Sequence, residues 1–201
     1  GAAFAGMSAT IRELVDERDI FLREKAVGLR SGSYLMAKTI VLAVLVTVQS
    51  SLMVGVALTL NDGPTDAVLL GDPALELTFC CWATAFTCGL LGLAVSAYVS
   101  SSEQVMPVLV VSIMGQLVLA GGVVPITGRA VFEQLSWLMP ARWGYAMASS
   151  TIAMNEIIPY RADDLWEHTA RQWLIDFGCL SALALTCLLA CLIGLVRRGR
   201  R

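Results

Sequence analysis

Charge and histidine are what this sequence has least of. Only 15% of its 201 residues are Asp, Glu, Lys or Arg, and His168 is its one histidine. Soluble domains carry about 25% charged and about 45–50% apolar residues. Here 57% are apolar, and mean hydropathy is +0.72. With several apolar runs of spanning length, that balance describes a membrane protein. A single histidine makes neither a metal site nor a catalytic triad, and in its polar stretch His168 reads as a solvated residue. No GxxxxGK[ST] occurs, so the chain has no Walker A loop with which to hold ATP. The net charge of −2 leaves no basic surface for nucleic acid. No carboxylate falls near the middle of an apolar run, where a proton relay would need one. Glu76 and Asp176 read as lying at outer helix ends within reach of water. All six cysteines, Cys80, Cys81, Cys88, Cys179, Cys187 and Cys191, lie inside apolar runs and read as small buried apolar residues. The adjacent pair Cys80 and Cys81 suits neither zinc spacing nor an easy disulfide.

What the sequence does have is a strict order of apolar and charged stretches. It begins GAAFAGM, apolar and without an initiator Met. Residues 1–7 read as the end of a spanning helix that starts in a longer polypeptide. No basic region precedes them, so they are not a signal peptide. Residues 11–27 follow with an apolar stripe, Ile11, Leu14, Val15, Leu22 and Ala26, against Arg12, Glu13, Asp16, Asp19, Arg23 and Lys25. This predicts an amphipathic helix on one membrane face, its mixed charge better suited to a protein partner than to lipid alone. Gly28, Ser31, Gly32 and Ser33 are expected to break it.

Thr39 to Leu60 carries no charge and is about 33 Å long at 1.5 Å per residue, enough to span. Asn61, Asp62, Gly63 and Pro64 end it. Further spans are predicted at 77–99, 105–124 and 177–196. The third has Gln116 at its middle and Pro107 in its first turn, and Gly121, Gly122 and Pro125 predict that it breaks before leaving the membrane. Residues 125–172 are too apolar for a loop and too interrupted for a span. A short helix with the stripe Val131, Leu135, Leu138 and Met139, then a second over 143–155, are bracketed by Trp137, Trp143, Trp166 and Trp173, the signal of an interfacial belt. A re-entrant external hairpin is the expected form, and backbone at that depth must be covered by protein. Six of the fourteen basic residues lie in 11–38 and four in the tail 197–201. The positive-inside rule therefore puts both segments in the cytoplasm, consistent with the even number of complete spans between them.

Two ordered sets of residues carry a family resemblance. The first is Glu17-Arg18, Phe21, Arg23-Glu24, Gly28, Tyr34 and Ala37-Lys38. The second is Gly121-Gly122, Trp137, Pro140, Arg142, Trp143-Gly144-Tyr145 and Asn155-Glu156. In these motifs, and in the order of its spans, the whole chain resembles the C-terminal part of an ABC-2 type transporter membrane domain of the subfamily-G-like kind. It departs from the family where Leu29-Arg30 replace a frequent Tyr after the glycine, and where the next helix lacks an early Pro. Residues 125–172 hold no cysteine, so the disulfides of eukaryotic relatives cannot form. That points to a bacterial member, most like actinobacterial exporters that fuse forkhead-associated domains, an ATPase and this membrane domain.

The resemblance implies an all-α polytopic transmembrane bundle of the type II exporter, or type V, kind. It implies that the 11–27 helix couples to an ABC ATPase domain, with Glu17, Arg18, Arg23 and Glu24 pairing across the interface and Phe21 as apolar anchor. That ATPase, expected in the same polypeptide, would hold ATP and Mg. This chain has no catalytic site or cofactor of its own. A second copy, forming a homodimer, the lipid bilayer and an amphipathic cargo are the other implied partners. The third span would line the path through Ser112, Ile113, Gln116, Ala120 and Val123. For Gln116 two readings stand, a cavity-facing amide or an interhelical hydrogen bond. Gln49, Ser50 and Ser51 read as helix-packing polar groups. The rival function is a structural or assembly membrane protein that transports nothing. An intramembrane enzyme is a weaker third reading.

Overall fold

The computed structural model describes residues 1–61, 63–99, 101–123 and 130–198, and among them there is no strand. Ten α-helices follow in order: α1 (Ala2–Thr10), α2 (Glu13–Asp16), α3 (Arg18–Ala26), α4 (Ser31–Leu60), α5 (Pro73–Tyr98), α6 (Ser102–Leu119), α7 (Ala130–Ser136), α8 (Pro140–Thr151), α9 (Met154–Ile157) and α10 (Ala170–Arg198). Four of them, α4, α5, α6 and α10, are long and apolar enough to cross a membrane. The molecule is an all-α polytopic bundle.

Each span extends beyond or stops short of its charge-free run, because helical hydrogen bonding follows the backbone and not the charge. Asp72 caps α5, accepting from the Ala74 and Leu75 N–H groups at 2.8 and 3.4 Å, with Pro73 at the first position, where a missing N–H costs nothing. The turn before α4 is made at Gly28 alone, at φ +113°. Ser31, Gly32 and Ser33, expected to break the chain, form the first turn of α4 instead. The expected single helix over 11–27 is two, α2 and α3, parted at Glu17. Helix α6 begins at Ser102, so Pro107 lies in its second turn, and it ends at Leu119 ahead of Gly121 at φ +88°. Val124, Pro125 and Arg129, with the tail residues Gly199, Arg200 and Arg201, lie outside the described residues.

The core is α5. In its most apolar stretch 61% of residues are buried, against 11% for α6. Helices α1, α4, α8 and α10 all pack on α5, while α6 lies at the edge. Small residues permit this. Gly6 of α1 meets the α5 backbone so closely that a methyl group there would overlap the Ala85 carbonyl. Thr10 donates to the Gly89 carbonyl at 2.7 Å across the same seam. Gly144 of α8 presses on Thr84 in the same way. The outward faces of α4 (Ile40, Val44, Val48, Leu52, Val56) and α10 (Leu185, Leu189, Ile193) are exposed and apolar, as lipid requires.

The segment from α8 to α10 folds back on this core. Asn155 and Asp163 exchange backbone and side-chain bonds at 3.1 Å, and Arg142 pairs with Asp163 at 3.5 Å. His168 is exposed yet engaged, its Nδ1 2.7 Å from the Ser150 carbonyl. Four of the cysteines, Cys80, Cys88, Cys187 and Cys191, are buried.

Two expectations fail here. Trp143, Trp166 and Trp173 are buried against α5, α8 and α10 rather than set in an interfacial belt; only Trp137 of that group is exposed. Glu76 and Asp176 are 0% exposed, not water-bathed. The 63–72 link and the segment after α8 fold over the helix ends that carry them. Glu76 accepts the N–H groups of Leu69 and Leu70 at 2.8 and 3.0 Å, and the Thr151 hydroxyl at 2.6 Å. Asp176 accepts from Gln172 at 2.9 Å.

Replacing Gly6 with Ala is expected to lower stability by about 1–3 kcal/mol, the range for forcing a methyl group into a packed seam. Gly55→Ala, on the lipid-facing side of α4 with nothing within 4 Å, is the matched control. It should be neutral or stabilising by up to about 1 kcal/mol. Thermal unfolding in detergent separates the two, and equal midpoints would remove the close α1–α5 approach from the account.

Candidate functional site

Two regions carry the residues singled out by the sequence. The first is the short-helix segment α2–α3. Lys38, in the second turn of α4, reaches down to it and bonds Glu13 at 2.9 Å and Glu17 at 2.8 Å. Tyr34, one turn earlier, donates its hydroxyl to the other Glu17 oxygen at 2.7 Å. Phe21 is 3% exposed, its ring 4.9 Å from that of Tyr34, and Lys25 lies over its outer face at 5.7 Å. Phe21 therefore fastens α3 to α4 and is not open to a partner. Glu17, 39% of whose side chain is exposed, is engaged by Lys38 and Tyr34 of α4.

Burial pushes the Glu17 carboxyl up, but the bonds from Lys38 and Tyr34 outweigh it and hold its pKa below the ordinary 4.5. Arg18, Arg23 and Glu24 are exposed, and so are Ile20 and Val27, the latter at 88%. Ile20, Arg23, Glu24 and Val27 follow the i, i+3, i+4, i+7 spacing of one helix face. Two apolar groups thus flank a charge pair on a surface the bundle leaves open.

The second region is a cavity of about 360 Å³ between α1, α5, α6 and α8. Ile113, Gln116 and Ala120 of α6 line it, with Phe4, Thr84 and Tyr145 opposite. Ser112 and Val123 do not. The reason is angular: successive i+4 steps drift by 40° around a helix, so a face continued from Gln116 runs through 113, 117 and 120 and leaves 112 behind. Gln116 is 2% exposed and fully used. Its Oε1 accepts from the Cys88 thiol at 3.1 Å and from the Ala141 N–H at 3.3 Å, and its amide nitrogen lies 3.8 Å from the Met7 sulfur. Both readings of Gln116 are met at once, since it joins four helices and stands in the cavity wall.

Residues 1–153 match the family model described as ABC-2 type transporter. This chain belongs to the ABC-2 type transporter family. It is also similar to the ABC transporter ATP-binding/permease protein Rv1747 of Mycobacterium tuberculosis, at 45% identity over 188 residues. That match takes in 92% of this chain and 22% of the relative, so the chain spans about a fifth of that protein's length.

Within this ABC-2 membrane domain, the structure brings Arg18, Arg23 and Glu24 to an open face and turns Glu17 and Phe21 away from it. Sequence reasoning missed Ile20 and Val27, which stand out only once the break at Glu17 resets the phase of α3. It also missed Ser96, whose Oγ accepts the Leu14 and Val15 N–H groups at 3.1 and 3.2 Å. No local signal marks that serine. Glu76 had one: an Asp-Pro helix start with a glutamate in its first turn, just after the apolar Val68-Leu69-Leu70, whose N–H groups need an acceptor.

Because Glu17 has a lowered pKa, its contribution is complete above pH 4.5 and is lost as pH falls through the lower folded-state value. Amide exchange over residues 18–26, corrected for intrinsic rate, should be flat from neutral pH down to about 4.5 and rise below it. Glu17→Gln should show the loosened behaviour at neutral pH. A wild-type profile flat through pH 3 would contradict the assignment.

Proposed function

We propose that this chain is the membrane-spanning permease of an ATP-driven exporter of lipid-like or amphipathic compounds. It works as two identical copies. ATP and Mg are bound and used by an ABC ATPase domain in the same polypeptide, a reading supported by the name of its mycobacterial relative. The protein sits in the cell membrane with 11–38 and the tail in the cytoplasm and 125–172 outside, as the basic residues favour.

The ATPase docks on the open face of α3. Ile20 and Val27 supply the apolar anchors that Phe21 cannot, and Arg23 and Glu24 supply charge at the rim. The single observation that carries the cargo class is the cavity wall. Phe4, Ile113 and Ala120 make it apolar, and the half-buried Tyr145 gives it a polar hydroxyl, which fits a molecule with both characters.

Orientation is tested with single cysteines at Ser33 and Asp164, both exposed, in a protein whose own cysteines are replaced. An impermeant maleimide on intact cells should label position 164 and spare 33; the reverse would overturn the orientation. Cargo is tested by Ala120→Phe, which fills the cavity. In the full-length protein in proteoliposomes, ATP-dependent transfer of a fluorescent phospholipid should fall roughly tenfold or more while the protein stays folded, a loss of about 1.4 kcal/mol in the transport step. Transfer at the wild-type rate would place the path elsewhere.

A further inference from the structure

We propose that Lys38 and Tyr34 form a joint with Glu13 and Glu17 that makes the docking helix α3 and the span α4 one moving body. They are positioning residues, and they do not contact the ATPase. The inference rests on the coupling role proposed for α3.

Helix α3 has little else to hold it. Phe21 is its only buried residue, and Phe21 packs on Tyr34 of α4. Helix α2, by contrast, is fixed to α5 through Ser96. The break at Glu17 therefore parts a helix anchored directly on α5 from one whose buried contact is with α4. Lys38 ties α4 to that break, with one carboxylate from α2 and one from Glu17, the residue on which α3 starts, each within 2.9 Å. The Lys38 side chain is 15% exposed and those of Glu13 and Glu17 are 24% and 39%, so water reaches the pairs from the carboxylate side. Tyr34 takes the second Glu17 oxygen and fixes the rotation of that carboxylate, which a single ion pair would leave free. Lysine suits the place because one ammonium presents three donors to separate acceptors. Without it, two carboxylates face each other and α3 is left on one aromatic contact. A push on the exposed face of α3 would then swing α3 about Phe21 instead of moving α4.

The test uses the full-length protein with its cysteines replaced and spin labels at Asp19 and Ser33, both exposed, one on each side of the joint. With Lys38 in place the inter-label distance should be narrow, with and without ATP and Mg. Lys38→Met keeps the stem and removes the charge, and should broaden the distribution. Lys38→Arg restores the charge and should narrow it again, which a loss of packing alone would not explain.

A cysteine at Ala120 then reports whether ATP reaches the cavity. The ATP-induced change in its maleimide labelling rate should shrink roughly two- to thirtyfold in Lys38→Met, the span expected of a residue that links two sites. A Lys38→Met protein as narrow and as responsive as wild type overturns the joint, and so does a Lys38→Arg protein as loose as Lys38→Met. If Lys38→Met does not fold, Glu17→Gln carries the same two measurements, and wild-type behaviour there overturns the proposal equally. The double change Arg23→Ala with Glu24→Ala separates the two levels. A wild-type labelling response in that protein defeats the docking reading. A lost response there, kept in Lys38→Met, defeats the joint alone.

Discussion

The meeting of α1 with α5 sets the geometry of everything else. Lipid tails are as apolar as leucine, so helices in a bilayer are drawn together by close packing and by hydrogen bonds that cross between them. Gly6 gives the close packing, with no side chain between it and the Ala85 carbonyl, and Thr10 gives the bond to Gly89. Once α1 lies against one side of α5, the remaining sides are left for α4, α8 and α10. The cavity forms where α6 stands off from this group, and it closes through Gln116, which reaches back to α1, α5 and the start of α8.

The two ends of α5 solve the same problem in the same way. Irregular backbone beside a membrane helix must find partners for its N–H groups. At one end Glu76 gathers the N–H groups of Leu69 and Leu70 and adds the Thr151 hydroxyl from α8. At the other, Ser96 accepts Leu14 and Val15 as the chain passes from α1 into α2. The helix at the centre of the bundle thus also fixes the segment that precedes α3 and the link that precedes α5 itself, together with the end of α8. Loosening α5 would disturb both at once, although neither is part of the core.

The spans were legible because a run without charge has one stable place, and their order follows from the runs alone. Finer features were not legible, each for a physical reason. The stripe Ile11, Leu14, Val15, Leu22, Ala26 assumes one continuous helix; the break at Glu17 shifts the phase, so Phe21 turns in while Leu22 and Ala26 turn out. That one break leaves Phe21 buried and Ile20 and Val27 exposed. The tryptophans read as interfacial because an amphipathic ring prefers the membrane surface, yet the segment carrying them folds onto α5 and buries three of them. Glu76 and Asp176 read as wet because helix ends are wet by default, and only tertiary structure says what covers an end. In the cavity wall, Ile113, Gln116 and Ala120 come together on the face of α6 that one polar residue in an apolar helix had marked. Ser112 was set there by an i+4 rule that neglects the helix's drift.

The burial of those tryptophans gives the molecule an uneven optical signature. No tryptophan precedes Trp82, so the whole stretch from α1 through α4 is dark to selective indole excitation. Trp143 and Trp173 stand together in the buried seam among α5, α8 and α10, Trp82 is partly covered beside them, stacked on Phe86, and the buried Trp166 lies edge-on to Tyr145 of α8. Intrinsic emission from this protein is therefore dominated by one half of the bundle. The exposed Trp137 supplies a red, quenchable component from the outset, and a loss of the blue component carried by the buried tryptophans means that water has reached the seam. Rearrangement around Lys38 and Glu17 reaches that component most directly through Trp82, whose indole N–H donates to Thr47 of α4 at 3.0 Å.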